Sequence, residues 1–345
     1  MISNRLNKMQ VPIIQGGMGI GISMGSLAGA VAKEGGMGVI STANIGFQEP
    51  DFWERPKEAH KRALIREIRR AKEISEGNGI IAINAMVVTT NYEDAVRTAC
   101  SEGIDAVISG AGVPLALPEY IEGYSVLAAP IVSSGKAAKT ICNVWSKRYH
   151  RLPDFLVIEG SEAGGHLGFA QSDVEEGKTT PLEDILKDVL NVLSSFDAEI
   201  PVFVAGGIFD SDDIKKMIDL GAFGVQIATR FIATEECDAS QALKEIILQA
   251  ADGDVGILKS PVGMPGRGLL SPLAQRARIE RIPPKKCIRC ISTCDCNTTP
   301  YCINQALIDA FYGQYESGLF FCGSNVGRIN QITTVPKLIK ELMGG

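Results

Sequence analysis

The chain has 345 residues, 45% of them hydrophobic, with a formal net charge of −6, which is apolar material enough for one large α/β core or two ordinary ones. Lys and Arg are scattered and form no basic stripe, so nucleic acid is not an expected partner. The polar start, Met1–Gln10, has no apolar leader core, and no stretch reaches the roughly 18 apolar residues of a membrane span, so a cytoplasmic protein without a membrane partner is expected.

In chain order, short apolar runs that end in Gly or a small polar residue recur at Val11–Gln15, Met37–Ser41, Ile80–Ala85, Ala106–Ser109, Val126–Val132, Phe155–Glu159, Val202–Ala205 and Val225–Ala228. Segments of helical periodicity alternate with them: Ser26–Lys33, Tyr92–Ser101, Lys136–Val144, Leu182–Leu193, Ser211–Leu220 and, after the last run, Ser240–Gln249. Strands that are apolar throughout, joined by helices, predict a parallel sheet covered on both faces, and eight such units predict a (β/α)8 TIM barrel. A doubly wound open sheet is the alternative, but the G-x-G-x-x-G expected after its first strand is missing.

Two stretches depart from the repeat. Phe47–Glu76 is long and charged and reads as one amphipathic helix added outside the barrel. Beyond residue 250 the chain continues to 345 with Gly263–Gly268, a cysteine-rich segment and a final helix, Val335–Met343. The expected organisation is a barrel over 1–250 and an extension over 251–345 packed on it, too poor in apolar runs to hold a core of its own.

Functional residues of such a barrel lie just beyond the C-terminal ends of the strands. There the sequence places Gln15-Gly16-Gly17-Met18-Gly19, Glu159-Gly160-Ser161-Glu162-Ala163-Gly164-Gly165-His166, Ala205-Gly206-Gly207-Ile208 and Gln226-Ile227-Ala228-Thr229-Arg230. Paired glycines admit close approach of backbone N–H groups to an anion, and the loops after strands seven and eight are the usual phosphate seat, so a phosphate-bearing cofactor is expected.

These segments, with Ile13-Ile14-Gln15-Gly16-Gly17-Met18 and Gly35-Gly36-Met37-Gly38, resemble the signature segments of the nitronate monooxygenase (2-nitropropane dioxygenase) family. They are also similar to the flavin-dependent enoyl-acyl-carrier-protein reductases. The match runs from about Val11 to about Gln249. The resemblance implies a noncovalent FMN in the barrel mouth, with Gly17, Met18 and Asn84 at the ring and Gly164, Gly165, Gly206, Gly207, Gln226, Ala228 and Thr229 around ring and phosphate. Ala228 stands where the family usually has Gly, and its methyl narrows the approach to the phosphate. The small-molecule substrate implied is a nitroalkane or nitronate, or in the alternative an enoyl thioester with NAD(P)H as reductant; a homodimer is left open.

Of three histidines, His60 in Glu58-Ala59-His60-Lys61-Arg62 reads as a solvated helical residue and His150 as a loop residue. His166 follows a barrel strand in a glycine-rich loop and is the candidate general base. Gly21-Ile22-Ser23-Met24-Gly25 matches the nucleophile elbow G-x-S-x-G, but it follows the first strand of the chain rather than a central one.

Cys287, Cys290, Cys294, Cys296 and Cys302 are crowded as C-x2-C-x3-C-x-C-x5-C. Without an export signal such crowding points to metal or redox chemistry, with Cys287, Cys290, Cys294 and Cys302 as ligands of a [4Fe–4S] cluster or of structural zinc, and free thiols as the remaining reading. Cys100, Cys142 and Cys237 read as packing residues.

Overall fold

Each apolar run becomes a strand because it can bury both faces. The computed structural model, which describes residues 6–345, contains β1 (Ile13–Gln15), β2 (Met37–Ser41), β3 (Ile80–Met86), β4 (Ala106–Gly110), β5 (Leu127–Val132), β6 (Leu156–Glu159), β7 (Gly165–His166), β8 (Val202–Ala205), β9 (Gly224–Ile227), β10 (Val255–Leu258) and β11 (Gly266–Leu269). Eight of them close a parallel barrel in the order β1-β2-β3-β4-β5-β6-β8-β9, sealed where Ile13, Ile14 and Gln15 pair with Val225, Gln226 and Ile227. The chain is a (β/α)8 barrel.

Alternate strand residues fill the interior. Ile14, Val39, Ala82, Ile108, Leu127, Val157 and Phe203 meet inside the barrel, with Leu6 among them, while Ile40, Ile83, Val107, Ile158, Val204 and Val225 pack outward in the main core. This two-sided burial is why the strands are continuous apolar runs. β1 pairs with β2 only at Ile14 and Met37, and the buried Gln15 side chain extends the contact by accepting the Val39 N–H at 3.0 Å.

Pro56–Ser75 is not an addition outside the barrel as expected: it is the crossover helix between β2 and β3. Ala59, Ala63, Leu64, Ile68 and Ala71 form its buried face, and its arginines pair outward with Glu49, Asp51 and Glu102. The charge that set this stretch apart is the solvent face of an ordinary barrel helix.

The extension forms more structure than its composition suggested. β10 and β11 pair antiparallel, and β11 pairs in turn with β7, a two-residue strand in the loop after β6. Leu258, Val262, Leu273, Ala277, Ile291, Tyr301, Ile303 and Leu319 gather into a separate small core. The expectation of a coreless tail is therefore corrected: its apolar residues are dispersed in sequence but brought together around the helix Ile303–Phe311. Among the described residues no helix is long and apolar enough to cross a membrane.

Candidate active site

A cavity opens at the C-terminal ends of the barrel strands. Gly17, Met18, Asn84, Gly164, Gly165, His166, Gly206, Gly207, Gln226, Ala228 and Thr229 all line it. So do residues that sequence reasoning did not single out: Glu159, Glu162, and the run Phe321–Val326 from the extension.

The loop after β8 turns through Gly206 and Gly207 at φ +98° and +78°. These left-handed conformations cost an L-residue about 1–2 kcal/mol, and a side chain at Gly207 would also run into the Glu162 carboxylate. The extension is stitched to this rim. Asn325 Nδ2 donates to the Gly207 carbonyl at 2.9 Å, the Gly323 N–H to Thr229 Oγ1 at 2.9 Å, and the Ser324 N–H to the Glu162 carbonyl at 3.2 Å. Arg267 of β11 donates through Nε and Nη2 to the Ser161 carbonyl at 3.1 and 2.9 Å.

Two cavity-lining groups lack partners: Gln226 Oε1 and Ser324 Oγ are buried without a hydrogen bond. Leaving such groups unmet costs about 1–3 kcal/mol each. They fit a polar ligand seated between β9 and the extension. With the Gly206-Gly207 loop after the seventh barrel strand and the Ala228-Thr229 turn after the eighth, this donor and acceptor set suits FMN: an amide for the ring edge, a hydroxyl and backbone N–H groups for the phosphate end. The Ala228 methyl packs toward Gly16.

His166 is the only histidine among the cavity residues. Its strand β7 is held by pairing with Gly266 and Arg267, its ring stands edge-on to Phe321 at 5.0 Å between centroids, and its Nε2 lies 2.8 Å from Ser260 Oγ. Burial pulls its pKa down to about 4, so the imidazole is neutral at pH 7. Burial pushes Glu159, at the end of β6, up to about 8. Both groups therefore present uncharged faces near neutrality.

The remaining candidates fall elsewhere. His60 is buried, not solvated: it is 8% exposed, its Nδ1 accepts the Gly46 N–H at 3.1 Å, and its ring packs edge-on to Phe52. The helical pattern placed it on the charged face, but the Gly46 loop and Phe52 fold over that position. His150 is exposed at the end of the helix Gly135–Tyr149. Ser23 is buried, with its hydroxyl bracketed by the Met18 N–H and carbonyl, so the G-x-S-x-G serine is a structural brace.

None of the nine cysteines is paired in a disulfide. Among the described residues no three His, Cys, Asp or Glu groups are placed to hold a metal ion, so the expectation of a [4Fe–4S] or zinc site at Cys287, Cys290, Cys294 and Cys302 finds no support in their arrangement. Cys287 is exposed, whereas Cys302 turns toward the backbone N–H groups of Asn304 and Gln305. The segment docks on the loop after β3, where the Thr90 N–H meets the Cys290 carbonyl and the Ser292 N–H meets the Val88 carbonyl.

A family model described as nitronate monooxygenase matches residues 2–345. A probable nitronate monooxygenase of Staphylococcus saprophyticus is 28% identical over 290 residues, 76% of this chain and 77% of its own. A (3aS,4S,5R,7aS)-5-hydroxy-7a-methyl-1-oxo-octahydro-1H-indene-4-carboxyl-CoA dehydrogenase of Mycobacterium tuberculosis is 25% identical across 77% of this chain and 64% of its own. Among solved structures, FabK from Thermotoga maritima aligns with a TM-score of 0.75 at 24% identity, covering 99% of this chain and 94% of its own. Nitroalkane oxidase from Streptomyces ansochromogenes aligns at 0.76 and 18%, covering 99% and 97%. At these identities the two structures speak to the fold.

Proposed function

The chain belongs to the nitronate monooxygenase family of FMN-dependent oxidoreductases, and from that premise we propose that its barrel mouth oxidises alkyl nitronates and nitroalkanes with oxygen, using His166 as the base. The observation that carries this reading is a single neutral histidine on the wall of a cavity whose glycine loops and unpartnered Gln226 and Ser324 suit FMN. When bound, FMN supplies the two-electron acceptor that oxygen restores.

The chain's own groups do the rest. Gly206, Gly207, Ala228, Thr229 and Ser324, which line the cavity, would hold the phosphate end, and Gly17, Met18, Asn84 and Gln226 would hold the ring. His166 takes the α-proton of a nitroalkane; its neutrality leaves a lone pair free for that step. A nitronate arrives already deprotonated and needs only binding and orientation. Phe321, Ile232 and Leu307 give the cavity an apolar wall that suits an alkyl group and excludes water.

The test is oxygen uptake by the FMN-loaded protein with a nitroalkane and with its preformed nitronate. Uptake that depends on either substrate, with His166→Ala retaining FMN but losing at least about 100-fold in nitroalkane turnover, is the expected result. No uptake with either, together with NAD(P)H oxidation that depends on an enoyl thioester, would replace this reading with the reductase alternative.

A further inference from the structure

His166 has two ring nitrogens, and the structure distinguishes them. Nε2 is engaged by Ser260 Oγ at 2.8 Å. Ser260 is not among the residues that line the cavity; it is half-exposed, in the loop between β10 and β11. Nδ1 makes no hydrogen bond among the described residues and is not among the buried unpartnered atoms, so on a ring that lines the cavity it is the nitrogen left open. Ser260 Oγ also receives the Val262 N–H at 3.4 Å, and the Tyr301 hydroxyl, donating to the Lys259 carbonyl at 2.8 Å, anchors the loop.

This arrangement answers a difficulty in the proposed reaction. An imidazole on this cavity wall resists holding a second proton, as its lowered pKa reflects. A base that must stay neutral has to release one proton while it accepts another.

Resting on the reading of His166 as base, we propose that Ser260 of the extension is its proton exit: Nδ1 takes the α-proton of a nitroalkane while the Nε2 proton leaves through the Ser260 hydroxyl to solvent. The C–H bond breaks and leaves its electron pair on the substrate as the nitronate. An N–H bond forms at Nδ1, the Nε2–H proton passes to Ser260 Oγ, and the hydroxyl proton passes to a solvent water. The ring begins and ends neutral with its tautomer reversed, and exchange with water restores it. Ser260 touches no substrate and acts through His166, so it is a positioning and relay residue.

A preformed nitronate bypasses the whole sequence, which gives the test its selectivity. In FMN-loaded Ser260→Ala, kcat/KM for a nitroalkane should fall by more than about tenfold, kcat/KM for its nitronate should stay within about twofold, and Ser260→Thr, which keeps a hydroxyl, should recover most of the loss. Equal losses on both substrate forms, no loss on either, or a wild-type enzyme that uses the nitronate but not the nitroalkane would overturn the relay. Each of these leaves the oxidase reading intact, whereas wild-type enzyme inert toward both forms defeats that reading instead. A second readout needs no turnover. The chain has three histidines, so 15N imidazole spectra of wild type and His166→Ala identify the His166 signals. The relay requires the Nε2–H tautomer at rest, and a resting Nδ1–H tautomer overturns it whatever the kinetics.

Discussion

Two histidines with lowered pKa values make the protein's acid stability predictable. His60 and His166 are both held near pKa 4 by burial, against an ordinary 6.5. Between pH 6.5 and 4 the unfolded chain binds these protons and the folded chain does not, so stability is lost as pH falls through that window. Each pH unit costs about 1.4 kcal/mol per histidine, or about 3 kcal/mol for His60 across the whole window. Glu159 works the other way: folded, it keeps its proton up to about pH 8, so its contribution declines as pH rises from 4.5 to 8. His60 lies away from the proposed cofactor and isolates the first effect. Urea unfolding of wild type and His60→Gln should show the variant less stable at pH 7, because the Gly46 N–H loses its imidazole partner. The gap should narrow by about 3 kcal/mol toward pH 4. A gap that does not change with pH would mean that His60 is not buried in its neutral form.

At the scale of elements, the helix Gly25–Lys33 shows what the sequence could and could not display. Its periodicity and its place after β1 were plain in the apolar pattern, but its cap was not. Met24 at the N-cap offers no side-chain acceptor, and the first-turn N–H groups are met instead from far along the chain. Asp238 accepts from the Met24 N–H at 2.9 Å and the Leu27 N–H at 3.1 Å, and Glu67 accepts from the Gly25 N–H at 3.1 Å. Such caps are invisible to local reading because the two halves lie 214 and 42 residues apart. Asp238→Ala strands at least two buried donors and should cost about 2–3 kcal/mol in urea unfolding, with Asp238→Asn losing less because an oxygen acceptor remains. Equal stability of the Ala variant and wild type would show that water replaces the carboxylate. Strand β7 escaped notice for a related reason: two residues, Gly165 and His166, carry no alternation to read, and they are a strand only because β11 arrives from the extension.

Across the whole molecule the extension completes what the barrel begins. The eight strands and the glycine loops were legible because continuous apolar runs and paired glycines are local signals. The closing pieces were not, since nothing local marks Ser260, Gly323 or Asn325 as neighbours of residues 94 to 118 positions earlier. The last helix, Val335–Leu342, packs beside the helices Gly25–Lys33 and Ser211–Asp219, so the end of the chain fills the gap in the outer ring between the seventh crossover and the first. Arg230, just after β9, pairs with Glu341 there at 3.0 and 3.2 Å. Because Phe321–Asn325 both line the cavity and hydrogen-bond the loops after β6, β8 and β9, cofactor binding should order barrel and extension together. Adding FMN to flavin-stripped protein should therefore slow amide hydrogen exchange in 161–168, 206–210 and 321–326 as one unit, while the exposed helix Gln171–Glu175 exchanges at an unchanged rate. Protection confined to the first two segments would mean that the cofactor rests on the barrel loops alone, and that Ser324 and Asn325 serve only to hold the extension in place.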